Sequence, residues 1–171
     1  MESMTWPADS MSALEAFYGP IRLGATGQPT RAWEKETLTT IPAPYPLALA
    51  WKPDRQVTKV TCHRLVAQSL SRILSEILNH FGTVEALRLA RLHLFGGCYN
   101  YRLIGGSHRL SVHSFGAAVD FDPENNPLGR AHVDSGGMLP RAVVEIFEAE
   151  GWRWGGSFRR RPDCMHFQAT A

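Results

Sequence analysis

The sequence predicts an α+β domain in which a small, mainly antiparallel sheet packs against two or three helices. Three observations predict it. Val66, Leu70, Ile73, Leu74, Ile77, Leu78 and Phe81 follow the three-and-four spacing of an amphipathic helix. Ala142, Val143, Ile146 and Phe147 give a second apolar helical face between Pro140 and Gly151. Between and after these helices, residues 117–122 and 163–168 alternate with the two-residue period of half-buried strands. A chain of 171 residues, 44% hydrophobic and 20% charged, is the size and composition of one ordinary globule. Residues 1–171 are therefore expected to form a single domain, with 1–60 wrapped on it as an arm and 98–168 its chemical core.

Residues 1–60 hold seven of the eleven prolines, with Pro42, Pro44 and Pro46 alternating. Proline lacks an N–H and biases its predecessor to extended backbone, so this segment is expected to be extended and poor in regular structure after one short helix near 11–18. Its rings, Trp6, Phe17, Tyr18, Trp33, Tyr45 and Trp51, argue against disorder and suit an arm that completes the core. The main helix follows over 63–80, with Gly82 as its C-cap and His63 and His80 at its two ends as solvated or capping residues. A short helix over 84–91 is expected next, and then strand and turn from Leu92 to Leu103. Asp122 to Gly129 is dense in turn formers and ends the strand before it. The second helix runs over 139–150. Beyond it, Trp152 and Trp154 lead into Gly155-Gly156, where aromatic packing at a turn competes with a part for Trp154 in shaping a substrate groove.

Several function classes are excluded. No run of 18 apolar residues is present, so no membrane insertion is expected. Met1 to Pro7 carries neither a basic leader nor an apolar core, so synthesis in the cytoplasm without a signal peptide is expected. Cys62, Cys98 and Cys164 are an odd count without a CxxC pair, which argues against a disulfide framework. A net charge of +2 and a pI near 8.6 suit an anionic polymer without demanding nucleic acid. A monomer is expected.

The chemistry concentrates in Ser111-Val-His-Ser-Phe-Gly-Ala-Ala-Val-Asp120. His113 and Asp120 are metal-competent, but one continuous helix would separate them by roughly 10 Å of rise. Two ligands each about 2 Å from one Zn²⁺ cannot be that far apart, so the backbone must fold back. His113 then precedes a turn through Gly116, and Asp120 rides on the following strand, on one face with Ala118 and Asp122. His166, within Asp163-Cys-Met-His-Phe-Gln168, offers the third ligand. Three protein ligands leave a fourth position for water, the pattern of a catalytic zinc. Asp163, three residues ahead of His166, could carry a proton between that water and a leaving group. His132 and Asp134 are runner-up ligands, and Asp122 with Glu124 reads as a solvated loop.

The pattern SxHxxGxAxD over Ser111–Asp120, followed by Trp154-Gly-Gly-Ser-Phe158 and Asp163-x-x-His-Phe-Gln168, resembles the zinc D-Ala-D-Ala carboxypeptidase and L-alanyl-D-glutamate endopeptidase family of bacterial cell-wall peptidases, its endolysin branch above all. The resemblance implies a zinc-dependent peptidoglycan hydrolase with the metal on His113, Asp120 and His166 and with Asp163 as general base. It also implies that Arg102, in Cys98-Tyr-Asn-Tyr-Arg102, polarises the scissile carbonyl, and that Ser111 lines the substrate pocket. Phe158 stands where such enzymes often have Trp. The bond implied is L-alanyl-D-glutamate, with D-Ala-D-Ala as the alternative; the enzyme would reach the wall after release from the cytoplasm, its Arg159–Arg161 run attracting anionic groups. Two competitors are a zinc-holding wall-binding domain without activity and a Cys-His hydrolase built on Cys164. Asp163 and Arg102 together argue against the first, and the lack of a dedicated base against the second.

Overall fold

The computed structural model describes residues 5–171; Met1 to Met4, part of the Met1–Pro7 opening read above for a signal peptide, lie outside them. Among the described residues are five α-helices and a six-stranded sheet. In chain order the elements are α1 (Met11–Tyr18), α2 (Arg31–Thr37), β1 (Leu38–Leu49), β2 (Lys52–His63), α3 (Ala67–Phe81) and α4 (Val84–Leu89). They continue with β3 (Leu94–Gly97), β4 (Ala118–Phe121), α5 (Arg141–Ala149), β5 (Arg153–Trp154) and β6 (His166–Gln168). The sheet order is β2-β1-β3-β4-β6-β5. Every neighbouring pair is antiparallel except β1 with β3. The expected α+β architecture is the one observed.

Local chemistry accounts for the helices. Ser10, Thr30 and Thr83 cap α1, α2 and α4, each side-chain oxygen accepting an N–H of the first turn. α3 buries Leu70, Ile73, Leu74 and Ile77 and ends at Gly82, whose φ of +75° lets its N–H reach the Leu78 carbonyl. At roughly 1.5–3 kcal/mol each, those four side chains contribute about 6–12 kcal/mol of gross burial energy before chain entropy is set against it. α5 buries Val143, Val144 and Phe147. Phe147 stacks on Phe167 with centroids 3.9 Å apart, which fixes β6 over the helix. Because side chains alternate along a strand, burying Phe167 against α5 turns His166 and Gln168 to the opposite face.

Two expectations fail in the N-terminal third. Residues 38–63 are not poor in regular structure: they form a hairpin of two twelve-residue strands. The prolines are accommodated because β1 meets β3 only at Ala48 and Leu49, and because its register with β2 breaks between Pro42 and Leu47. A residue without an N–H loses nothing where no ladder partner faces it. The β-branched Val57, Thr58, Val60 and Thr61 of β2 were the contrary signal. His63 is also not a helix end. It closes β2, is 4% exposed, and its Nε2 meets the Tyr18 carbonyl oxygen at 2.9 Å.

Elsewhere in the N-terminal segment, aromatic residues contact more distant parts of the chain. Trp6 donates through Nε1 to the Glu150 carbonyl and packs edge-on against Trp152. The Tyr18 hydroxyl donates to the Ala169 carbonyl at 2.6 Å, and the Ala171 N–H reaches Pro7 O. Trp6, Tyr18, Trp33 and Tyr45 are all buried and complete the core. Trp51, at the β1–β2 turn, is 69% exposed and is the exception.

Candidate metal centre

Ser111 opens the site by capping a 3₁₀ turn over Val112–Phe115, its Oγ accepting the His113 N–H. Gly116 closes that turn with φ +68°, and a Cβ there would lie 2.8 Å from the His63 nitrogen, so a side chain is barred twice. The chain then enters β4, where Asp120 stands directly across from His166 of β6. Gly96 makes room for this, since a Cβ on it would come within 2.9 Å of Asp120 Cβ. The folded-back backbone expected between His113 and Asp120 is this 3₁₀ turn and strand.

His113, Asp120 and His166 converge, with one ligand atom from each lying within 4.8 Å of the others. His113 Nε2 is 3.2 Å from Asp120 Oδ2 and 3.2 Å from His166 Nδ1, and His166 Nδ1 is 2.9 Å from Asp120 Oδ1. The outward ring nitrogens are held by acceptors. His113 Nδ1 donates to the Cys98 carbonyl at 2.7 Å, and His166 Nε2 donates to Gln168 Oε1 at 2.9 Å. Those bonds let each inward nitrogen present a lone pair to a cation that displaces any proton shared there, as metal ligation requires. Burial alone would raise the Asp120 carboxyl, but His113 and His166 outweigh it and hold the group well below the usual carboxylate range. Burial alone would lower His166, and the hydrogen bond and charge of Asp120 reverse that and raise it. A carboxylate kept anionic between two imidazoles is a donor set suited to a divalent cation.

Asp163 sits on the loop feeding β6. Its N–H donates to Gly155 O at 2.8 Å, and its carbonyl accepts the His166 N–H. This loop placement resolves the conflict between a three-residue spacing and one strand face. The carboxylate atom Oδ1 is buried without a hydrogen-bond partner. Burial, assisted by the charge of Asp120, raises its pKa. A donor set ready for a cation and an unpartnered carboxylate beside it fit a metal ion with an exchangeable water.

A cavity of about 360 Å³ opens at this cluster, lined among others by Trp51, Tyr99, Arg102, His113 and Asp120. Arg102 is fixed through its backbone, Ser114 Oγ both accepting its N–H and donating to its carbonyl. Its side chain is exposed on the cavity wall. The Tyr99 hydroxyl donates to Glu34, which ties that wall to α2. The other two residues singled out for substrate lie elsewhere. Ser111 is 5% exposed with its hydroxyl engaged in capping, and Trp154 is 5% exposed with its Nε1 donating to the Cys164 carbonyl. Trp154 braces the Asp163–Cys164 turn from behind.

The runner-up groups do not join the cluster. His132 Nε2 contacts the Leu139 carbonyl, and Asp134 pairs with Arg141. Asp122 leaves the strand with φ +45° and turns to a bidentate pair with Arg91, so it does not share the site face with Asp120. Cys164 is buried, and burial raises its thiol pKa, the reverse of what a nucleophile needs. Sequence reasoning overlooked the Cys98 carbonyl, Gln168, Trp51 and Asp9, which bonds Gln168. Gln168 alone had a signal, two residues beyond His166 on one strand face.

Residues 105–169 match a family model described as D-alanyl-D-alanine carboxypeptidase. No curated protein and no solved structure matches the chain. The matched stretch contains Ser111, His113, Asp120, Trp154, Asp163 and His166 and begins just after Arg102. Residues 105–169, which hold the His-Asp-His cluster, are thus similar to the D-alanyl-D-alanine carboxypeptidase family.

Proposed function

We propose that the chain is a zinc metallopeptidase that hydrolyses a peptide bond of the peptidoglycan stem, as an L-alanyl-D-glutamate endopeptidase. The observation that carries the hydrolase reading is the convergence of His113, Asp120 and His166 beside an Asp163 carboxylate atom that is buried and unpartnered. His113, Asp120 and His166 would hold the ion. Zinc, when bound, supplies Lewis acidity and a water nucleophile usable at neutral pH. Asp163 Oδ1 takes a proton from the attacking water and returns it to the leaving amine. Its raised pKa suits a group that must give the proton back as well as take it. Arg102 offers a guanidinium on the cavity wall to the carbonyl oxygen as negative charge develops there. Trp51 presents an exposed ring at the same cavity against which substrate can pack.

The endopeptidase reading draws on the motif resemblance, and the description of the matched family favours D-Ala-D-Ala cleavage as a second reading. Incubating intact peptidoglycan with the zinc-loaded protein and identifying products by mass spectrometry separates them. The first predicts muropeptides cut back to L-alanine, and the second predicts loss of the terminal D-alanine alone. Stoichiometric zinc with no product from peptidoglycan would leave the non-hydrolytic wall-binding domain as the reading. Access to the wall after release from the cytoplasm belongs to the same proposal. Expressing cells should lyse only once their membrane is permeabilised.

A further inference from the structure

The N-terminal segment reaches the metal cluster through one side chain. Gln168, 3% exposed, accepts His166 Nε2–H on Oε1, and its amide nitrogen donates to Asp9 Oδ2 at 3.0 Å and to Thr170 Oγ1 at 2.7 Å. Asp9 lies 159 residues away in sequence and outside the stretch matched to the peptidase family. Its carboxylate is pinned by Arg109 and lies 3.7 Å from Arg153. We infer that Asp9 and Gln168 are positioning residues for the metal centre, Asp9 fixing the Gln168 amide so that His166 keeps its Nδ1 lone pair for a cation. The inference rests on the zinc reading above.

The physical reason is the asymmetry of an amide. Its oxygen only accepts and its nitrogen only donates, so the group placed beside the nitrogen decides which end faces His166. A carboxylate cannot donate, and Asp9 therefore excludes the flipped amide, whereas the Thr170 hydroxyl could serve either orientation. With the amide held, His166 keeps its outer proton on Nε2, and a cation can displace any proton shared between Nδ1 and Asp120 and take the Nδ1 lone pair. With the amide flipped, its NH₂ would meet Nε2 and favour the tautomer protonated on Nδ1, which cannot ligate. Outer groups that orient a ligating histidine typically contribute 10–100-fold to metal affinity.

The full-length protein and the variants Asp9→Ala, Asp9→Asn and Asp9→Ala/Gln168→Glu test this by two measurements. One is the orientation of the Gln168 side-chain amide, read by NMR from the contacts of its NH₂ protons; the other is Zn²⁺ affinity by competition with a chelator. Asp9→Ala should mix the two amide orientations and weaken zinc binding about 10–100-fold. Asp9→Asn can turn its own amide to serve either orientation and should mix them as well. The double variant should recover zinc affinity, because a glutamate carboxylate accepts from His166 in either orientation; a role of Asp9 limited to docking the N-terminal segment would not be rescued in this way. Wild-type amide orientation and affinity in Asp9→Ala, or a double variant as weak as Asp9→Ala, would overturn the inference. A wild-type protein that fails to bind zinc would refute the functional reading, while the amide-orientation measurement would still decide the role of Asp9.

Discussion

Gly155→Ala adds one methyl group at the place where the loop bearing Asp163 crosses β5. A Cβ there would stand 2.5 Å from the Asp163 carbonyl oxygen, 3.1 Å from Asp163 Cβ and 3.2 Å from His166 Cβ. Carbon contacts are comfortable at about 3.5–4.0 Å, so the loop must retreat by roughly 1 Å. The obstacle is backbone, which cannot rotate aside like the end of a flexible side chain. Overpacking of this kind costs about 1–3 kcal/mol, equivalent to a Tm lower by about 2–12 °C in a domain of this size. A displacement near 1 Å at a catalytic carboxylate costs about 10²-fold in turnover. Circular-dichroism melting, zinc competition and steady-state hydrolysis of peptidoglycan together read the effect. Turnover should fall further than either stability or zinc affinity, because the methyl group meets the Asp163 backbone more closely than it meets His166. Gly105→Ala is the control: nothing lies within 4 Å of its Cβ, and its φ is not left-handed. A Gly155→Ala protein with wild-type Tm and wild-type turnover would refute the close-packed placement of Asp163.

Four further outcomes follow from the structure. Asp163→Ala should keep zinc and fold while losing 10²-fold or more in turnover, and Arg102→Lys should fall short of wild type because lysine lacks the planar guanidinium fork; steady-state kinetics beside metal analysis checks both. Cys164→Ala should hydrolyse peptidoglycan at close to the wild-type rate, at a stability cost of about 1 kcal/mol, because its buried thiol takes no part in the chemistry. Glu150 is held below its ordinary value by the hydrogen bond from Arg72, against burial and with help from Ser69. A lowered folded-state pKa contributes stability that is complete above the unfolded value of 4.5 and is lost as pH falls through the lower folded value. The Tm difference between wild type and Glu150→Gln should therefore be full above that pH and close in acid.

The sequence by itself determined the local features. Periodicity located α3 and α5, Gly82 marked the end of the first, and the length bound between His113 and Asp120 required the chain to fold back. The small residues of Ser111–Asp120 and the two-residue period of β4 and β6 single out His113, Asp120 and His166. Those signals survive in a linear reading because each is set by neighbours within a few residues. The β1–β2 hairpin was hidden because alternating prolines argue against a strand unless one side of its ladder is unpaired, and that condition depends on how far β3 extends beside it. The working side of Trp51, the engagement of Ser111 and Trp154 in bracing, and the reversal of Asp122 toward Arg91 were likewise decided by partners distant in sequence. The contact of Asp9 with Gln168 is the extreme case, because no periodicity or motif links two residues brought together only when the N-terminal segment docks beside β6.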